Sequence, residues 1–177
     1  MGLKARLVSY EQATNRTVNR ILWISLLLVV GAMLPLASRT GLPRGPFLLW
    51  AAGSAVLLCA VTLLVRSGRW PRAQKFVQIG TLGVVLVGIA FLVPGSNQHT
   101  GIWFLLPVLT GLYVERWVSA YGTLLALAWW TAVLLLHPPE VPPSMTVARI
   151  GLVNGVMLTL VGIGTYAVAA RSRQLLE

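Results

Sequence analysis

Six stretches of apolar residues, 21–37, 47–65, 76–93, 101–114, 118–136 and 150–170, are joined by short connections that alternate between rich and poor in Arg and Lys. A helix rises about 1.5 Å per residue and a hydrocarbon core is about 30 Å thick, so roughly 20 apolar residues cross it once. Most of the runs approach that length, and none contains a charged residue. Backbone polar groups in hydrocarbon must bond within their own segment, so runs of this kind cross as helices. The pattern predicts an all-α membrane protein, a bundle of six transmembrane helices.

Charge sets the threading. The net charge is +10, yet charged residues are only 10% of the chain, and the 14 basic ones cluster at the ends of apolar runs. They form no basic face with interleaved aromatics, so nucleic acid is not an expected partner. Basic residues at helix ends orient spans and meet anionic headgroups. With the N-terminus cytoplasmic and one crossing per run, the inner side receives Lys4, Arg6, Arg16, Arg20, Arg66, Arg69, Arg72, Lys75, Arg116, Arg171 and Arg173. The outer side receives Arg39, Arg44 and Arg149. Both termini are therefore expected in the cytoplasm. Trp23, Trp70, Trp117, Tyr113, Tyr121 and Tyr166 fall near the inner interface, and Trp50 and Trp103 near the outer one, where amphipathic rings prefer to sit.

Three regions follow. Residues 1–20 form a cytoplasmic amphipathic lead, with Leu3, Leu7, Tyr10, Thr14, Val18 and Ile21 at helical spacing. Residues 21–170 form the six-helix domain, and 171–177 begin a cytoplasmic helix. The connection at Glu115-Arg116-Trp117 is tight enough to make the fourth and fifth helices a hairpin, whereas 137–149 carries four prolines and is extended. The single cysteine, Cys59, has no cationic neighbour in sequence and reads as a small buried apolar side chain.

Residues that would carry chemistry are scarce. The four acidic residues, Glu11, Glu115, Glu140 and Glu177, lie outside the runs, and there is no Asp. A charge at the bilayer midplane costs several kcal/mol and usually marks a transport path; none is present in the runs, and no catalytic residue, cofactor or metal site is expected. The polar residues within the runs, Thr62 and Gln78 among them, read as interhelical hydrogen-bonding groups. One polar cluster maps to the outer side: His99, Trp103 and His137, with Asn154 near the outer end of the sixth run, are the candidate ligand-binding residues. Gly151, Gly155 and Gly162 let the sixth helix approach a neighbour closely, either within the bundle or across a dimer. The tail through Arg171, Arg173, Leu175 and Leu176 lacks Pro and Gly, so the sixth helix is expected to continue unbroken and to transmit a signal.

A basic lead, six short-looped helices, the Leu105-Leu106-Pro107-Val108-Leu109 run before the Glu115-Arg116-Trp117 hairpin, and a last helix running into 171–177 make a recognisable layout. It resembles the six-helix membrane-integral sensor domains that precede output modules in bacterial diguanylate cyclases and histidine kinases, and is similar in plan to the hexahelical anchors of some bacterial adenylyl cyclases. The resemblance implies a sensor in the bacterial cytoplasmic (inner) membrane, embedded in the lipid bilayer. It implies a homodimer coupled to a cytoplasmic output domain, with no catalysis by these residues themselves. Hydrophobic walls with few fixed polar groups suit a small apolar ligand. The alternative is a small membrane transporter, channel or transport-complex subunit.

Overall fold

The computed structural model describes residues 3–37, 44–92, 103–113, 115–136 and 146–176, with the side chains of 8–35, 44–92, 103–113, 115–136 and 146–174. They form α1 (Leu3–Ala37), α2 (Arg44–Ser67), α3 (Pro71–Leu92), α4 (Leu105–Thr110), α5 (Arg116–Leu136) and α6 (Val147–Leu176). Among the described residues there is no strand. The helix starts follow local chemistry. Pro46 sits in the first turn of α2 and Pro71 opens α3, where a missing N–H costs nothing. Thr146 caps α6, its Oγ1 accepting from the Arg149 backbone N–H at 3.2 Å.

Five helices are long and apolar enough to span a membrane: Val8–Pro35, Arg44–Ser67, Pro71–Leu92, Arg116–Leu136 and Val147–Gln174. The chain is accordingly a multi-pass helical membrane protein. The fourth apolar run departs from expectation. Its helix is six residues long, about 9 Å at the usual rise, flanked by turns at Trp103–Phe104 and from Gly111 onward. Apolar composition alone does not separate burial in lipid from burial in protein. A run of 10–14 residues more often packs inside protein or re-enters than spans, and Pro107 with Gly111 limits helix growth.

Residues 3–20, read from the sequence as a separate lead, are continuous with the first apolar run in one 35-residue helix. At about 52 Å, α1 exceeds a hydrocarbon core. Its first turns therefore extend past the apolar layer.

The chain divides into two compact units, Met1–Gly88 and Ile89–Glu177. In the first, Val18, Leu22 and Leu26 recur every fourth residue on α1, and Leu58, Val61 and Val65 share the buried face of α2. Phe47 stacks obliquely on Trp50, ring centroids 5.5 Å apart. The Trp50 indole in turn donates to the Val85 carbonyl at 3.1 Å, beside Gly88, where any Cβ would collide with the ring. In the second unit, Val118, Gly122, Ala126, Trp130 and Val133 form the buried face of α5, against α4 and α6. Leu27, Leu49, Val56, Leu135, Leu152 and Ile163 are exposed, an apolar exterior suited to lipid contact. Cys59 is exposed on α2 rather than buried, correcting the sequence reading.

Candidate functional site

A polar network occupies the end of the first unit where α1 begins and α2 gives way to α3. The Lys75 ammonium lies 2.8 Å from Glu11 Oε1, with side-chain exposures of 2% and 30%. One turn further along α1, Asn15 is fully buried. Its amide donates to Gln74 Oε1 at 2.9 Å and to the Pro71 carbonyl at 3.3 Å. Gln78 Nε2 donates to the Asn15 backbone carbonyl at 2.9 Å. Asn15 Oδ1 has no hydrogen-bond partner among the described residues. Another turn on, Asn19 Nδ2 and the Trp23 indole both donate to Thr62 Oγ1 of α2, at 3.1 and 2.9 Å. The Thr62 hydroxyl in turn donates to the Leu58 carbonyl at 2.7 Å. Asn15, Asn19 and Trp23 repeat every fourth residue, so one stripe of α1 meets both partner helices.

This network pins the α2–α3 turn. Gln74 Nε2 donates to the carbonyls of Leu64 and Arg69 at 3.0 and 2.8 Å, while its backbone N–H reaches the Trp70 carbonyl at 3.1 Å. Ser67 Oγ donates to the Leu64 carbonyl at 2.7 Å and accepts from the Arg69 N–H at 3.3 Å. Gly68 sits at φ 64°, and Trp70 at φ 51°, a left-handed conformation uncommon for a bulky residue.

The second unit is built on small residues. Gly122 of α5 faces α4: a Cβ there would strike the Thr110 methyl and meet the Leu106 carbonyl at 3.4 Å. Gly162 of α6 is seated against Thr123 of α5 and tolerates no Cβ without movement. Such positions bring helix backbones close. Thr110 directs its hydroxyl to the Pro107 carbonyl at 2.6 Å, and Thr123 to the Ser119 carbonyl at 2.8 Å, leaving methyls for the contacts. Trp103, Leu106 and Tyr113 are buried around this crossing region of the fold's short helix. An open apolar groove of about 340 Å³ runs between Leu127 of α5 and Gly151, Leu152, Gly155, Thr159 and Leu160 of α6.

Of the residues assigned from the sequence, His99 and His137 lie outside the described residues, as do Asn97, Gln98 and Glu140. Trp103 is 1% exposed, inside the second unit rather than standing at a rim. Asn154 is half-buried on α6 and does not line the groove. The three glycines separate. Gly162 packs on Thr123, Gly151 has Leu134 at 3.1 Å from an added Cβ, and Gly155 alone faces open space in the groove. Arg171 and Arg173 continue α6 past the apolar run; Leu175 and Leu176 belong to the same helix. No group of three or more metal-ligating side chains occurs among the described residues. Of the tryptophans expected at interfaces, Trp70 and Trp117 are exposed, whereas Trp23 and Trp50 are hydrogen-bonded between helices.

Comparison with protein-family models, with curated proteins and with solved structures finds no match.

Proposed function

We propose that this chain is a membrane-embedded receptor or sensor domain that takes a small apolar ligand, or responds to membrane state, and transmits the change through α6 to a cytoplasmic output domain in a dimer. The observation that carries the reading is the continuity of α6. Thirty residues run without interruption from the groove at Gly151–Leu160, past the Gly162–Thr123 contact, to Arg171 and Arg173. A ligand in the groove would bear on the helix that leaves the membrane. Its effect is a population shift between two packings of α5 and α6, propagated as rotation or translation of a rigid rod.

Placement in a bacterial inner membrane with both termini cytoplasmic belongs to the same proposal. Arg66, Arg69, Arg72 and Lys75 mark the inner end of α2 and α3, which leaves the Leu92 end of α3 outside. Arg116, Arg171 and Arg173 mark the inner ends of α5 and α6, against Arg149 at the other end. That placement needs the chain to change sides between Leu92 and Arg116, where only 105–110 are helical among the described residues. Irregular backbone at membrane depth is tolerated where protein covers it, and Leu106, Pro107 and Thr110 are buried.

The test is a fusion at Glu177 to a diguanylate cyclase catalytic domain, with one to four alanines inserted after Ala170. Output that rises and falls with the helical period of about 3.6 residues supports rigid coupling; a flat response removes it. In the same fusion, Leu127→Ala in the groove should alter ligand-dependent output, and alanine at His99, His137 and Asn154 tests the outer cluster as an entrance apart from it: three wild-type responses would dismiss that cluster.

A second reading, a small transporter, channel or transport-complex subunit, is favoured by two specific observations. One is the ion pair of Lys75 and Glu11 beside Asn15, Gln74 and Gln78, since paired polar groups within a helical bundle are common on transport paths. The other is the broken fourth run, since discontinuous helices build many transport sites.

A further inference from the structure

We propose that the α2–α3 turn is a preformed binding site for the phosphate headgroup of an anionic phospholipid. The turn joins two helices that are each long and apolar enough to span, so it lies where they leave the hydrocarbon layer. Arg66, Arg69 and Arg72 are all exposed there within seven residues, and Trp70 between them is 75% exposed. Among the described residues no carboxylate pairs with these guanidiniums: Glu11, the acidic residue of this end, is taken by the buried Lys75. Arg16 and Arg20, also exposed, follow Asn15 and Asn19 on α1, which the Asn15 contact with Pro71 holds against the turn. The surface thus offers several unneutralised cations and a single amphipathic ring, the combination that meets an anionic headgroup layer.

What distinguishes this turn from an ordinary basic connection is its rigidity. The hydrogen bonds from Gln74 and Ser67 fix the backbone at Leu64, Arg69 and Trp70, and Trp70 is held in the left-handed region while its ring remains exposed. Backbone held in a sparsely populated region persists only where surrounding structure determines it, and such sites concentrate at ligand contacts. Guanidiniums bind phosphate oxygens in a planar fork, so a fixed turn loses less freedom on binding than a mobile one. The assignment uses the membrane-spanning character of α2 and α3 and not the receptor reading, so either can fail alone.

The test is native mass spectrometry of the full chain in maltoside detergent, titrated with phosphatidylglycerol and, separately, phosphatidylcholine of the same acyl chains. Saturable binding about a hundredfold tighter for phosphatidylglycerol is expected, because each of the three basic residues at the surface contributes roughly fivefold. The variant Arg66→Gln/Arg69→Gln/Arg72→Gln should lose roughly a hundredfold, down to the phosphatidylcholine level. Each single substitution, which leaves the helices' packing untouched, should lose about fivefold. Equal binding of the two lipids, or wild-type affinity in the triple variant, overturns the site. An equal loss per charge in Arg116→Gln/Arg149→Gln would reduce the effect to net charge and also overturn it. Displacement of the lipid by sodium phosphate but not by sodium chloride of equal ionic strength would assign the turn to a soluble anion instead.

Discussion

Lys75 shows how much of this molecule turns on individual polar side chains. Read from the sequence it is one of several basic residues at a helix end; in the fold it is buried, with Glu11 as its counter-ion. Removing one partner of a buried pair leaves an uncompensated charge, whereas removing both does not. Glu11→Gln should therefore destabilise the protein by about 1–3 kcal/mol, and Glu11→Gln/Lys75→Met by less. Thermal unfolding in detergent, followed by circular dichroism, measures this; a double variant as unstable as the single one would show that the ammonium is not the source. Asn15 and Gln74 escaped the sequence reading for a related reason. Both lie outside the apolar runs, where a polar residue is presumed solvated. The signal that would have found them is the Asn15, Asn19, Trp23 repeat, a polar stripe at helical spacing that continues into the apolar face Leu22–Leu26.

At the scale of elements, five of six apolar runs became helices long enough to span, because hydropathy and length are sufficient evidence when lipid is the solvent. The run at 101–114 did not, and its short length and Pro107 were the legible warning. Glycine spacing was legible as close packing, but which neighbour each glycine meets was not, since Gly151, Gly155 and Gly162 differ only in what lies opposite. That difference makes a prediction. Leu at Gly162 must displace Thr123 and should separate α5 from α6, costing about 1–3 kcal/mol as overpacking. Ala at Gly155 meets nothing within 4 Å and should leave the fold intact or stabilise it by up to about 1 kcal/mol through helix propensity. Proteolysis rates and melting temperatures distinguish the two. If a second copy packs on this face of α6, Gly155→Leu should lower the dimer fraction in detergent while the monomer remains folded.

For the whole molecule the decisive quantity is parity. Five regular spans alone would put the N- and C-termini on opposite sides of the membrane, whereas a crossing within 93–115 returns the C-terminus to the side of the N-terminus. The proposed topology takes the second arrangement on charge alone: with Arg149 inside, Arg116, Arg171 and Arg173 would lie outside, against the bias that orients short-looped helices. Protein covers one face of α4, where Leu106, Pro107 and Thr110 are buried while Leu105 and Val108 are exposed, and irregular backbone at membrane depth needs such cover. In a Cys59→Ser background, cysteines introduced singly at Ser9 and Gln174 should both resist a membrane-impermeant maleimide in intact cells and react once the cytoplasmic face is opened. Labelling of the Gln174 position alone in intact cells would mean that 93–115 does not cross. A cytoplasmic partner at the end of α6 would then have no access to the helix proposed to drive it, and the receptor reading would give way to transport.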